Sequence, residues 1–175
     1  MKNYKGFTLI EVIVVMVLIG LMTTFAIQRY TDWLPNYRLK KAARGVYGAA
    51  MKAKGEAVKR NINCALTFNQ SVSGTTNVYV VYEDLNGNCE FDTGETVIKK
   101  MEKWPDKVSL DTSQGGGDGL SFTDNDDGNP TISFRPNAIP TANGGGLANG
   151  SAYLINTNGQ TKEVVINRAG SIRID

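Results

Sequence analysis

The sequence predicts an α+β protein. One long N-terminal α-helix, membrane-spanning in its first half and amphipathic in its second, packs on an antiparallel β-sandwich head of about eight short strands. Three observations carry this reading. From Val12 to Ile27 there is no charged residue. After Pro35 a small-residue stripe recurs at helical spacing up to Ala57. Beyond Asn61 short β-prone runs alternate with Gly, Asn, Ser and Asp turn signals, within a total of 19 glycines and 5 prolines.

The first element starts near Phe7. From Phe7 to Ile27 the run approaches the ~20 residues an α-helix needs to cross a hydrocarbon layer. No small-residue cleavage site follows it, so the helix is expected to stay attached. Glu11 stands out, because a carboxylate within a membrane segment costs about 2.5–3.5 kcal/mol and calls for a partner. Snorkelling of Glu11 to the interface is the alternative.

The second element should bend or pause at Leu34-Pro35, where proline removes a backbone donor. Leu39, Ala43, Val46, Ala50, Ala53 and Ala57 then share one face, suited to close packing against a sheet or other helices. Gly45, Gly48 and Gly55 each cost about 1 kcal/mol against alanine, so this helix needs tertiary support. The expected strands are Cys64–Phe68, Val78–Tyr82, Thr96–Lys100, Leu120–Thr123, Thr131–Phe134, Ala152–Asn156, Glu163–Asn167 and Ser171–Ile174. Asn86-Gly87, Asn158-Gly159 and Ala169-Gly170 mark turns, and Gln114–Gly119 and Ala142–Gly150 read as mobile surface loops.

The formal charge of +2 conceals a division. Residues 28–60 carry +7 and residues 61–175 carry −6, a basic stem under an acidic head. That pattern fits packing between neighbouring copies, or simply a solvated helix face, better than a nucleic-acid-binding domain. Histidine is absent, which removes imidazole triads, histidine metal sites and imidazole bases, and no nucleophile–base pair replaces them. An enzyme is not expected. The two cysteines, Cys64 and Cys89, most simply form one disulfide in a translocated protein, with two free buried thiols as the alternative.

Lys5-Gly6-Phe7-Thr8-Leu9-Ile10-Glu11, followed by the charge-free run, resembles the prepilin peptidase site of type IV pilins and type II secretion pseudopilins. The resemblance implies cleavage between Gly6 and Phe7 by a prepilin peptidase and N-methylation of Phe7. It also implies pairing of Glu11 with the Phe7 amine of an adjacent subunit during assembly. Lys54-Gly55-Glu56-Ala57-Val58-Lys59-Arg60-Asn61, leading into Cys64–Phe68, resembles the helix end and first strand of the GspH/FimT branch of minor pilins and pseudopilins. A leader (1–6), an assembly helix (7–34), an amphipathic helix (35–61) and a β-rich head (62–175) follow. So do the implied partners: other pilins, an inner-membrane assembly platform, and membrane lipid. The implied location is the bacterial inner membrane, N-terminus cytoplasmic and head periplasmic, and then a pilus or pseudopilus. Counting Lys2 and Lys5 against Arg29, Arg38, Lys40, Lys41 and Arg44 would orient the helix the other way. The peptidase motif outweighs that count.

Two binding sites remain as candidates. Asp84, Asn86, Asn88, Glu90, Asp92 and Glu95 occupy positions one, three, five, seven, nine and twelve of a calcium loop, although Cys89 stands where a glycine belongs. The other reading is an acidic turn joining two strands; otherwise no cofactor is expected. Asp124-Asn125-Asp126-Asp127-Gly128 is a second acidic cluster, read as a solvated turn. The C-terminal Gly170-Ser171-Ile172-Arg173 resembles the Gly-Arg-x-Arg of DNA-uptake members with one arginine missing, so Arg168 and Arg173 are the candidates for DNA at a pilus tip. Pairing of these arginines with surface carboxylates is the alternative. Ala138 departs from a glycine common in the branch.

Overall fold

The computed structural model describes residues 6–175, apart from the side chains of residues 25–29. Most of the expected leader, and the side chains of Ile27 and Arg29, lie outside the described residues.

One helix, α1 (Leu9–Arg60), runs 52 residues. Its start is capped from both sides. The Glu11 amide donates to Thr8 Oγ1 at 3.3 Å, and the Thr8 amide donates to a Glu11 carboxylate oxygen at 3.4 Å. Its end is marked by Asn61 in the left-handed conformation, with Lys59 and Arg60 in the last turn. Pro35 does not interrupt it. The lost backbone bond costs about 3 kcal/mol in a free helix, but here Pro35 is buried and head side chains support its neighbours. Asn158 Nδ2 donates to the Asp32 carbonyl at 2.9 Å, and Asn156 Nδ2 to Asn36 Oδ1 at 2.7 Å.

The head holds eleven strands: β1 (Asn63–Phe68), β2 (Ser71–Val72), β3 (Thr75–Thr76), β4 (Tyr79–Asp84), β5 (Val97–Met101), β6 (Val108–Leu110), β7 (Thr131–Phe134), β8 (Pro140–Thr141), β9 (Gly150–Asn156), β10 (Thr161–Ile166) and β11 (Ile172–Ile174). Two antiparallel sheets, ordered β5-β4-β1-β7-β8 and β11-β10-β9-β6, close with the second half of α1 around one core; β2 and β3 form a small hairpin. Seven of the expected strands match within a few residues. The eighth, Leu120–Thr123, makes only an isolated bridge from Leu120 to Ala152. The short β6 and β8 carried too little pattern to be read alone. The glycine run at 115–119 is a packed turn, since a Cβ on Gly115 would meet the Leu120 amide nitrogen at 2.3 Å.

Alternation along β1 decides what each sheet face does. Cys64, Leu66 and Phe68 turn toward the helix and are fully buried with Val81, Ile132 and Phe134. On α1 the apposed face is Leu39, Ala42, Ala43, Val46, Ala49, Ala50, Ala53 and Ala57, each 0–2% exposed. These short side chains bring the helix backbone close to the sheets, and the head's large side chains fill the space between. Phe68 stacks on Phe122 at 5.4 Å and meets the edge of Tyr79 at 6.4 Å.

Candidate functional site

The candidate assembly surface is the first half of α1. Phe7, Leu9 and Met22 are 85%, 81% and 73% exposed, and the apolar residues between them are also open. Among the described residues nothing covers this face, although such a continuous apolar surface is one that soluble monomers rarely leave bare. Among the described residues no helix is long and apolar enough to cross a membrane; the side chains of this run are described up to Thr24. Glu11 belongs to the capping box, a threonine-to-glutamate spacing legible at Thr8-Leu9-Ile10-Glu11 that the sequence reading did not use.

Sequence reasoning also missed an aromatic ladder immediately above. Trp33 stacks on Tyr37 at 5.1 Å and lies 6.5 Å from Tyr30, and all three rings are at least half exposed. Their i, i+3, i+7 spacing was the available signal.

The helix end is clamped to the head by charge. Glu56 is 6% exposed and accepts from Lys52 Nζ at 2.8 Å and from Arg60 Nε at 2.6 Å. Arg60 also pairs with Glu83 on β4. Hydrogen bonds from Lys52 first, then Arg60, hold the Glu56 carboxyl down at about 2. This network gives a physical reason for the acidic residue in the helix-end segment. It ties the last turn of α1 to the sheet.

The expected disulfide is not formed: Cys64 and Cys89 are both free and buried. The alternation of β1 explains it. Cys64 points into the helix-facing core. Cys89 belongs to the opposite face, where it keeps company with Ser133 and Asp84, and Ser133 pairs across from Ala65, the residue after Cys64. Burial pushes the Cys64 thiol up to about 11 and the Cys89 thiol up to about 12, so both stay protonated.

That opposite face is a buried polar layer. Tyr82 Oη and Thr131 Oγ1 both bond to Thr67 Oγ1, at 3.0 and 2.9 Å, and Ser133 Oγ donates to Asp84 Oδ2 at 2.9 Å. The loop from Leu85 to Thr96 covers it, with Phe91 edge-on to Tyr82 at 5.2 Å and Asn125 Nδ2 holding the Cys89 carbonyl at 3.0 Å. The six residues of the calcium pattern lie along this loop and its first strand. Among the described residues no three His, Cys, Asp or Glu side chains form a group that could hold a metal ion. In the second acidic cluster, Asn143 Nδ2 donates to an Asp126 carboxylate oxygen at 2.6 Å.

At the C-terminus the two DNA candidates are not brought together as a cationic pair. Arg168 donates to Asn149 Oδ1 at 3.1 Å from the turn before β11. Arg173, on β11, pairs with Asp175 at 2.8 Å, which raises its pKa further. Nearby, Lys54 Nζ donates to the Gly170 carbonyl at 2.8 Å, and Gly170 packs so closely that a Cβ there would lie 2.4 Å from the Ala138 carbonyl oxygen. Ala138 itself adopts φ 64°, the left-handed region that favours glycine.

Comparison with known proteins decides the family. The model of the type II transport protein GspH matches residues 42–170, from the buried half of α1 to the closing hairpin. The chain belongs to the GspH family. The prokaryotic N-terminal methylation motif matches residues 1–27. Two crystal forms of the Pseudomonas aeruginosa (strain PAO1) type IV minor pilin FimU are similar in fold. The first has TM-score 0.50 at 12% identity, over 80% of this chain and 90% of that one. The second has TM-score 0.47 at 14% identity, over 78% and 92%. No curated protein matches the sequence. This GspH-family chain is a type IV pilin-like structural subunit and not an enzyme.

Proposed function

We propose that this chain is a minor pilin or pseudopilin of a bacterial type II secretion system or type IV pilus. It is anchored in the inner membrane by the first half of α1, with the N-terminus cytoplasmic and the head periplasmic. Prepilin peptidase cleaves it between Gly6 and Phe7, Phe7 is N-methylated, and an inner-membrane assembly platform polymerises the subunit with other pilins. The observation that carries this reading is the uncovered apolar half of α1, continuous with a head whose own core is complete. A surface left open by the chain's own fold is the surface to be covered by lipid and then by other subunits. Tyr30 and Trp33 support the same reading: at 1.5 Å per residue they lie about 30–36 Å along the helix from Leu9, the depth of an opposite membrane interface, where aromatic rings collect.

Glu11 supplies the charge for assembly. In the single chain its carboxylate is satisfied by the Thr8 amide; in the filament it exchanges that bond for the amine of a neighbour's Phe7. Glu11→Ala should therefore insert and be processed yet fail to enter filaments, read by fractionation and filament immunoblotting. Normal incorporation of the variant would sink the pairing role. An unprocessed N-terminus by mass spectrometry, in cells carrying an active prepilin peptidase, would sink the processing step. Binding of DNA at a tip is the weaker reading, because Arg173 is already neutralised by Asp175.

A further inference from the structure

We propose that the loop from Asp84 to Glu95 binds one calcium ion. The observation that points to a ligand is at its first position. Asp84 is 1% exposed, its Oδ2 accepts from Ser133 Oγ, and its Oδ1 is buried with no hydrogen-bond partner. Backbone amides of Cys89, Gly87 and Asn88 hydrogen-bond to this carboxylate and hold it against the loop, while Oδ1 keeps no partner of its own. A buried carboxylate oxygen without a proton donor is costly, and a hard cation in the loop satisfies it.

The remaining donors are oxygen atoms of the kind Ca²⁺ takes. Asn86 Oδ1 and Asn88 Oδ1 each accept one backbone N–H, from Asn88 and Glu90, and each keeps a second lone pair. Asn86 Nδ2 and Asn88 Nδ2 donate to Asp92 Oδ2 at 2.8 Å and 2.9 Å, so the side chains at positions three, five and nine meet, and an ion would take the place of these two N–H bonds. Glu95 folds back over the loop, accepting from the amides of Leu85 and Asp92. The sequence objection at position six is met by the backbone: Cys89 adopts φ 62°, the turn that a glycine would otherwise supply. Asp84, Asp92 and Glu95 are not gathered closely enough to hold an ion by themselves, so the amide oxygens of Asn86 and Asn88 must supply part of the donor set. That composition, with neither imidazole nor thiolate among the donors, selects calcium over zinc and places the affinity in the weak range of about 10⁻⁴–10⁻³ M. The ion would join the end of β4 to the start of β5 across the buried polar layer. The proposal stands independently of membrane assembly.

The test uses the full chain in detergent micelles, freed of metal with EGTA and titrated with CaCl2 by calorimetry over a Mg²⁺ background. The expected result is one saturable equivalent of Ca²⁺ per chain, with amide NMR shifts at Gly87 and Gly94. Asp92→Asn should weaken binding by roughly a hundredfold, and Asp126→Asn with Asp127→Asn should leave it unchanged. Glu95→Gln serves in place of Asp92→Asn if that variant's thermal midpoint in EGTA falls below the wild-type value. Absence of saturable uptake by the folded chain up to about 10 mM Ca²⁺, well above the weak range, would overturn the proposal. So would uptake that survives Asp92→Asn and Glu95→Gln but is lost in the Asp126/Asp127 variant.

Discussion

The two halves of α1 are one continuous helix with opposite solutions to the same problem. The first half carries large apolar side chains and leaves them bare; Leu18 is 51% exposed and Met16 is 68% exposed. The second half turns a face made mostly of alanine inward and buries it completely. Side-chain size tracks the partner. Where the sheets supply Phe68, Leu66 and Ile132, the helix needs only to come close, and alanine permits that. Where the described residues of the chain provide no partner, the helix carries the bulk itself. A helix can thus be half core and half interface, and the boundary falls near Pro35, where head side chains begin to hold it.

The contrast is broken most sharply by changing side-chain volume on each side of that boundary. Ala53→Leu should lower head stability by about 2–3 kcal/mol through overpacking, read as a drop in urea midpoint. Leu18→Ala should leave that midpoint unchanged and weaken only filament incorporation. A smaller loss is expected where the helix meets the closing hairpin. Gly170→Ala puts a Cβ into the Ala138 carbonyl at φ 77° and should cost about 2 kcal/mol, whereas the same test at exposed Gly74, with nothing within 4 Å, costs only the backbone strain.

The ionic clamp at the helix end responds to pH with a fixed sign. The folded Glu56 carboxyl is held at about 2, below its ordinary 4.5, so its contribution is present above pH 4.5 and is lost as pH falls toward 2. Urea midpoints of the wild type should fall across that window, and Glu56→Gln should flatten this part of the profile. The smallest effect is a gain. Ala138→Gly relieves a left-handed backbone and should raise stability by roughly 0.5–1 kcal/mol, after the added freedom of the unfolded chain is subtracted.

Periodicity was the reliable guide. The stripe from Leu39 to Ala57 was legible because spacing alone defines a helix face, and β1, β4, β7, β9 and β10 were legible because β-branched and aromatic runs sit between turn signals. Leu120–Thr123 has the same local look, yet only Leu120 finds a bridge partner; strand pairing is non-local. The proline at 35 misled for a related reason. A break is the local preference, and burial with outside hydrogen bonds overrides it.

Residue types and their order determined by themselves that this chain has a processed-looking N-terminal segment, a long helix with two kinds of face and a β head. These are local properties of charge, size and period. Only the tertiary structure decided that Cys64 and Cys89 lie on opposite faces of one sheet, that Arg173 is neutralised, and that the Asp84 carboxylate is buried with an oxygen unsatisfied. Each of those depends on which strands pair and in what register. A one-residue step along β1 reverses the face, and no composition or spacing reports it.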